Sequence, residues 1–376
     1  MLVLSGTFSS IMQLESLNHT PNFSISAANS VLMCPVPTPD STASNIAKTI
    51  AYGLIFLLSI VGNSFILLII YKEKDLRSTT NFLIANMSVS DLLASVFFMP
   101  IAILEIHNGH RSWPIVGLTG SILCKLVYFI HDVSVAVSVE SLTFISIDRF
   151  CGIVQPHRRK PFVGRVKKVV LFIWLNALVL HSPFLYAFQL TNYKEKSYCL
   201  MIWPTSIDSS LVNKAFFLTL IVILFVLPLG IIVVVQSLII RKFHRQKMPR
   251  GLSCEARLRR HRRNRKVVAM VLAVIVVFFS CWSPIIVYSF IVLFKRGTCS
   301  VSVLFRFIAS FIVESNKAWN FFIYLIFNNT YRRALANLFR CGKKNVYNGE
   351  ISSHARQIEI EAPQALNTQE GDCLYY

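Results

Sequence analysis

Residues 216–235 read Phe-Phe-Leu-Thr-Leu-Ile-Val-Ile-Leu-Phe-Val-Leu-Pro-Leu-Gly-Ile-Ile-Val-Val-Val, with no charge and a single hydroxyl. At the helical rise of ~1.5 Å per residue such a run is about 30 Å long, the thickness of a bilayer's hydrocarbon. Hydrocarbon offers a bare peptide group no hydrogen bond, so a segment of this kind must be a helix. The run is the middle of one of seven comparable stretches: Asn45–Tyr71, Asn81–Glu105, Ser121–Ile153, Val166–Phe188, Asn213–Lys242, Arg265–Phe294 and Val301–Phe327. The predicted fold is an all-α membrane protein, a seven-helix bundle with a short amphipathic eighth helix. The predicted divisions are a glycosylated outer tail (1–44), the membrane domain (45–328), the amphipathic helix (329–341) and a disordered cytoplasmic tail (342–376). Composition agrees, with 54% hydrophobic and only 15% charged residues, against about a quarter charged in soluble chains.

The net charge of +20 suggests nucleic acid, but its placement argues for membrane topology. Arg241–Lys266 carries twelve Lys or Arg and one acid, Glu255, while residues 1–45 carry no Lys or Arg. The positive-inside rule then puts the N-terminus outside and the C-terminus inside, and no nucleic-acid partner is expected. Asn18 and Asn22 head sequons in the outer tail and are expected glycosylation sites, whereas the sequons at Asn86 and Asn328 should be silent. Cys34, Cys124, Cys199 and Cys299 fall on the oxidising side. Four cysteines allow three pairings; the preferred one joins Cys124 to Cys199 and Cys34 to Cys299. Cys341, after the amphipathic segment, is a candidate palmitoylation site.

Counting inward from the cytoplasmic ends places Asn63, Asp91, Ser138, Asn316, Lys317 and Asn320 at a common depth of roughly 12–18 Å. Polar groups so deep face the bundle interior, so these are expected to form one cluster. Cys124 and Arg149 are 25 residues apart, about seven turns, so they share a face, with Asp148-Arg149 at the inner mouth. Pro284 should bend the sixth span, and Phe278 and Trp282 lie at i,i+4 just below it.

Taken in order, the residues resemble the rhodopsin-like (class A) G-protein-coupled receptors over about 45–341. The resemblance rests on Gly62-Asn63, Asn81-Phe82-Leu83 through Asp91-Leu92-Leu93, Cys124, Asp148-Arg149-Phe150, Pro156, Trp174, Cys199, Pro228, Cys281-Trp282-Ser283-Pro284, Asn320 and Tyr324. It implies an outer ligand cavity, a switch through Asp148, Arg149, Gln236, Pro284, Asn320 and Tyr324, and a heterotrimeric G protein and arrestin as partners beside the lipid bilayer. Phe321 stands where the family has proline, Gln236 where it has tyrosine, His157 where an aliphatic residue is usual, and Asn264 at an inner acidic position. Where relatives bind sodium beside the Asp91 position, Lys317 is expected to pair with Asp91 and displace it.

Glu105, His131, Asp132, Gln189, Trp282 and Glu314 are expected to line the outer cavity, where three acids would favour a cationic group. Tyr198-Cys199 with Trp203-Pro204 resembles peptide receptors, so a peptide bearing Arg, Lys or an amidated C-terminus is the expected ligand. An amine or other small molecule is the alternative, and a transporter or channel the rival from another class. No P-loop, zinc spacing or nucleophile elbow is present, so no enzyme activity, metal or cofactor is expected.

Overall fold

A computed structural model of the chain describes residues 40–109, 111–155, 162–193, 196–203, 209–245, 254–294 and 302–340. Asn18, Asn22, Cys34, Cys299 and Cys341, with most of both tails, lie outside the described residues. Helices α1 (Thr42–Lys72), α2 (Thr79–Asn108) and α3 (Gly117–Ile153) are followed by α4 (Val166–Ala187), which is interrupted at Ser182 ahead of Pro183. A hairpin of β1 (Phe188–Tyr193) and β2 (Lys196–Met201) precedes α5. Helix α5 consists of Ser209–Ile221, a π turn Val222–Val226 and Leu227–Arg245. Then come α6 (Cys254–Phe294), α7 (Val303–Phe327) and α8 (Asn329–Arg340).

The pattern of α1 shows what solvent the fold anticipates. Its buried positions, Tyr52, Ile55, Ser59, Gly62, Asn63, Ile66 and Ile69, recur at three- and four-residue steps and include polar groups. Leu54, Leu57, Leu58, Val61 and Leu68 are exposed. Apolar groups outward and polar groups inward invert a soluble helix's stripe and suit a lipid surround. Six of the described helices are long and apolar enough to cross a membrane. Helix α7 falls short of that hydropathy because it carries Glu314, Asn316, Lys317 and Asn320, all of them buried within the bundle.

Local chemistry sets the helix ends and breaks. Ser41, Ser78 and Ser302 cap α1, α2 and α7, each hydroxyl accepting a first-turn backbone N–H. The π turn of α5 ends just before Pro228, whose missing N–H leaves the carbonyl four residues back without its helical donor. Helix α7 runs unbroken through Phe321. That residue packs on α1 at Gly62, where an added Cβ would lie 2.8 Å from the Cβ of Phe321. Its ring faces that of Phe65 at 6.2 Å. Gly62→Val should therefore lose about 1–3 kcal/mol of stability through overpacking. The check is the thermal midpoint of the purified protein in detergent; an unchanged midpoint would mean that α1 and α7 are not held at this crossing.

At one end of the bundle the hairpin is covalently tied to α3 by Cys124–Cys199. The α2–α3 connection adds to it as a further edge, with Trp113 N–H donating to Ser197 O at 2.8 Å and Cys199 N–H to Arg111 O at 3.0 Å. The opposite end carries the exposed basic residues Lys72, Lys168, Arg241 and Arg265. Helix α8 packs against this end, where the buried Tyr331 donates to Asn81 Oδ1 at 3.4 Å and lies beside Tyr324.

Candidate functional site: an end cavity continuous with a buried polar core

Below the hairpin a cavity of about 550 Å³ opens between α1, α2, α3, α6 and α7, a size suited to a small or medium ligand. Glu105, His131, Trp282 and Glu314 are on its wall. Asp132 and Gln189 are not, which corrects the expectation for both. Adjacent helical residues do not face the same way, so with His131 toward the cavity Asp132 turns aside. Gln189 is taken up by the hairpin, its Nε2 donating to Ile202 O at 3.4 Å. Among the described residues the expected excess of acid is not found. The wall holds Asp40, Glu105 and Glu314 against Lys48, Arg111 and Arg306. No motif in the sequence marks the loop residue Arg111.

The cavity floor is ionic. Lys317 Nζ donates to Glu314 Oε2 at 2.6 Å, and Glu314 Oε1 meets His131 Nε2 at 2.9 Å. His131 Nδ1 is 3.3 Å from Asp132 Oδ1, and the His131 ring lies 4.1 Å from that of Phe98. All four ionisable residues are buried. The predicted pairing of Lys317 with Asp91 is thus corrected: the ammonium turns to the acid one turn away on its own helix. Helical side chains lean toward the N-terminus, which in α7 is the hairpin end, so Lys317 reaches up to Glu314. The i,i+3 spacing of the two was visible in the sequence; the direction of lean decides between the candidate partners.

Asp91 is held one layer deeper by neutral donors. Asn320 Nδ2 donates to its Oδ2 at 3.0 Å, and Ser138 Oγ lies 3.5 Å from Oδ1. Asn63 Nδ2 donates to Ser59 O at 2.9 Å and to Lys317 O at 3.0 Å, and Ser59 meets Ser95 of α2 at 2.8 Å. These bonds join α1, α2, α3 and α7 at one level. Asn316 and Tyr324 are buried on α7 at and below it. Asn86 links α2 to α3 and α4, donating to Ser141 at 3.0 Å and accepting from Trp174 Nε1 at 2.8 Å.

Trp282 connects the cavity to the shaft of α6. Its ring packs on Phe278 at 5.9 Å and on Phe225 of the α5 π turn at 5.6 Å. Pro284 lies just above it within α6. At the basic end, Arg149 pairs with its neighbour Asp148, which also accepts from Thr80 at 3.1 Å. Gln236 of α5 is buried and donates to Ser146 at 3.4 Å. Ile153, Ile239 and Val268 form an apolar cluster there, with Phe150, Phe243 and Leu272 against it. This cluster brings the basic ends of α3, α5 and α6 together next to Arg149.

Residues 62–324 match the family described as "7 transmembrane receptor (rhodopsin family)". The chain belongs to that family, a family of receptors and not of enzymes, and is a multi-pass membrane protein. It is 32% identical to neuropeptide Y receptor type 6 of Mus musculus over 258 residues, 64% of this chain and 66% of the receptor. With the tachykinin-like peptides receptor 86C of Drosophila melanogaster it shares 27% identity over 350 residues, 90% of this chain and 67% of the other. The figure is 30% over 311 residues for neuropeptide FF receptor 1 of Homo sapiens, 77% of this chain and 69% of that one. The chain thus spans about two thirds of the length of these relatives.

Proposed function

We propose that the chain is a plasma-membrane receptor for an extracellular peptide, that its hairpin end faces outward, and that it activates a heterotrimeric G protein at its basic end. The carrying observation is the continuity from cavity to switch. Trp282 lines the cavity and stacks on Phe278, and α6 runs unbroken from there to the apolar cluster around Val268. A ligand that repacks Trp282 biases α6 at Pro284, moves its inner end outward, and uncovers Arg149 for a G-protein helix. Coupling of this kind is reciprocal, so bound G protein tightens agonist binding. Arrestin is a second partner for the same cleft, with lipid around the bundle. Asn18 and Asn22 carry glycans, Cys341 a palmitoyl chain, and Cys34 pairs with Cys299.

The peptide class rests on relatives named for neuropeptides, tachykinin-like peptides and neuropeptide FF. It is tested in cells expressing the receptor and a G-protein reporter, exposed to tissue extract before and after protease digestion. The expected result is activity that digestion destroys. Activity that survives digestion would move the ligand to the amines or other small molecules.

A further inference from the structure

Arg111 sits on the cavity wall but has no part in the path from Trp282 to α6. It is 6% exposed, and its φ of 61° lies in the left-handed region that non-glycine residues rarely adopt. That conformation is imposed from several sides. The Arg111 carbonyl accepts from Cys199 N–H, Cys199 is bonded to Cys124 of α3, and neighbouring Ser112 bridges to Tyr198. The guanidinium carbon lies 4.4 Å from the centre of the Tyr128 ring and 5.6 Å from that of Phe188. One arm, Nη1, is buried and makes no hydrogen bond among the described residues. A buried charged donor without an acceptor is costly, and strained backbone pinned this tightly is characteristic of ligand clamps.

The charge of the cavity indicates what would satisfy that arm. Of the three acids among its described residues, Asp40 is closed by Lys48 at 2.6 Å and Glu314 by Lys317 at 2.6 Å. Glu105 accepts the Tyr128 hydroxyl at 2.9 Å. Among the described residues, Arg111 and, on α7, Arg306 then stand against Glu105, so the balance left for a ligand is positive. We infer that Arg111 is an anion clamp that binds a carboxylate of the ligand, with Arg306 as the second cation, and that it sets ligand specificity. The inference rests on the peptide-receptor reading and narrows it to peptides with a carboxylate at the C-terminus or on an Asp or Glu side chain.

The test uses the full-length receptor in lipid nanodiscs with G protein, and four synthetic hexapeptide pools. The pools end in a free carboxylate or a carboxamide, and each kind is made with and without Asp and Glu. At least one carboxylate-bearing pool should accelerate nucleotide exchange, and the amidated pool without acidic residues should not. Whichever acidic pool acts identifies the source of the carboxylate. Arg111→Gln should weaken the active pool by about tenfold to hundredfold, and Arg111→Lys, which keeps the charge but loses the planar fork, by less. Equal potency of the neutral amidated pool overturns the clamp and leaves the peptide reading standing. Undiminished potency on a folded Arg111→Gln receptor does the same. Silence of all four pools overturns both. Should Arg111→Gln not fold, the acid-against-amide comparison on the unaltered receptor and on Arg306→Gln still decides.

Discussion

Lys317→Met should lower the unfolding midpoint of the receptor sharply, by the equivalent of about 3–5 kcal/mol, because it strips Glu314 of its ammonium partner in a buried site. Glu314 keeps only His131, at 2.9 Å, and two side chains away from water cannot compensate a lost charge as solvent would. The double variant Glu314→Gln with Lys317→Met removes both charges together and should recover most of the loss, since neutral replacement of a buried pair is often close to harmless. Thermal unfolding in detergent, run on both single variants and the double, measures the coupling directly. If the double variant is as unstable as the sum of the two singles, Lys317 and Glu314 are not partners.

Val268→Ala should raise ligand-independent nucleotide exchange by about five- to thirtyfold. Val268 is buried against Ile153 and Ile239, and the proposed outward movement of α6 takes it away from them. Truncating it costs the closed form on the order of 1–2 kcal/mol of burial and packing, and costs the open form little, since there the contact is already lost. A change of that size on one side of a two-state equilibrium multiplies the open population by its Boltzmann factor. Basal exchange on purified receptor, normalised to folded protein, is the measurement. Basal exchange at the unaltered level would show that this cluster does not hold α6.

The contrast between these two sites marks what could be read from residues alone. The spans and the shared depth of Asn63, Asp91, Ser138 and Asn320 follow from hydropathy and helical rise, quantities that depend on chain position only. The partner of Lys317 depends on which way a long side chain leans, and two acids lay within its reach in sequence terms. Asp132 likewise sits at the right depth for the cavity but a hundred degrees around the helix from His131, so depth without facing misplaces it. Arg111 was silent because its setting is assembled by a disulfide, a hairpin edge and two aromatic rings from distant stretches. Phe321, where the family has proline, is accommodated by the absent side chain of Gly62 on another helix, a relation no local pattern contains.

The coupling of cavity to basic end through α6 is tested most directly by one distance. Spin labels at Lys72 on α1 and Arg265 on α6, both exposed, report the position of the α6 inner end once the native free cysteines have been replaced. Pulsed electron resonance should show that distance lengthen when nucleotide-free G protein is added, and shorten again with GTP. A distance that stays fixed while the same sample catalyses nucleotide exchange would contradict the proposed movement.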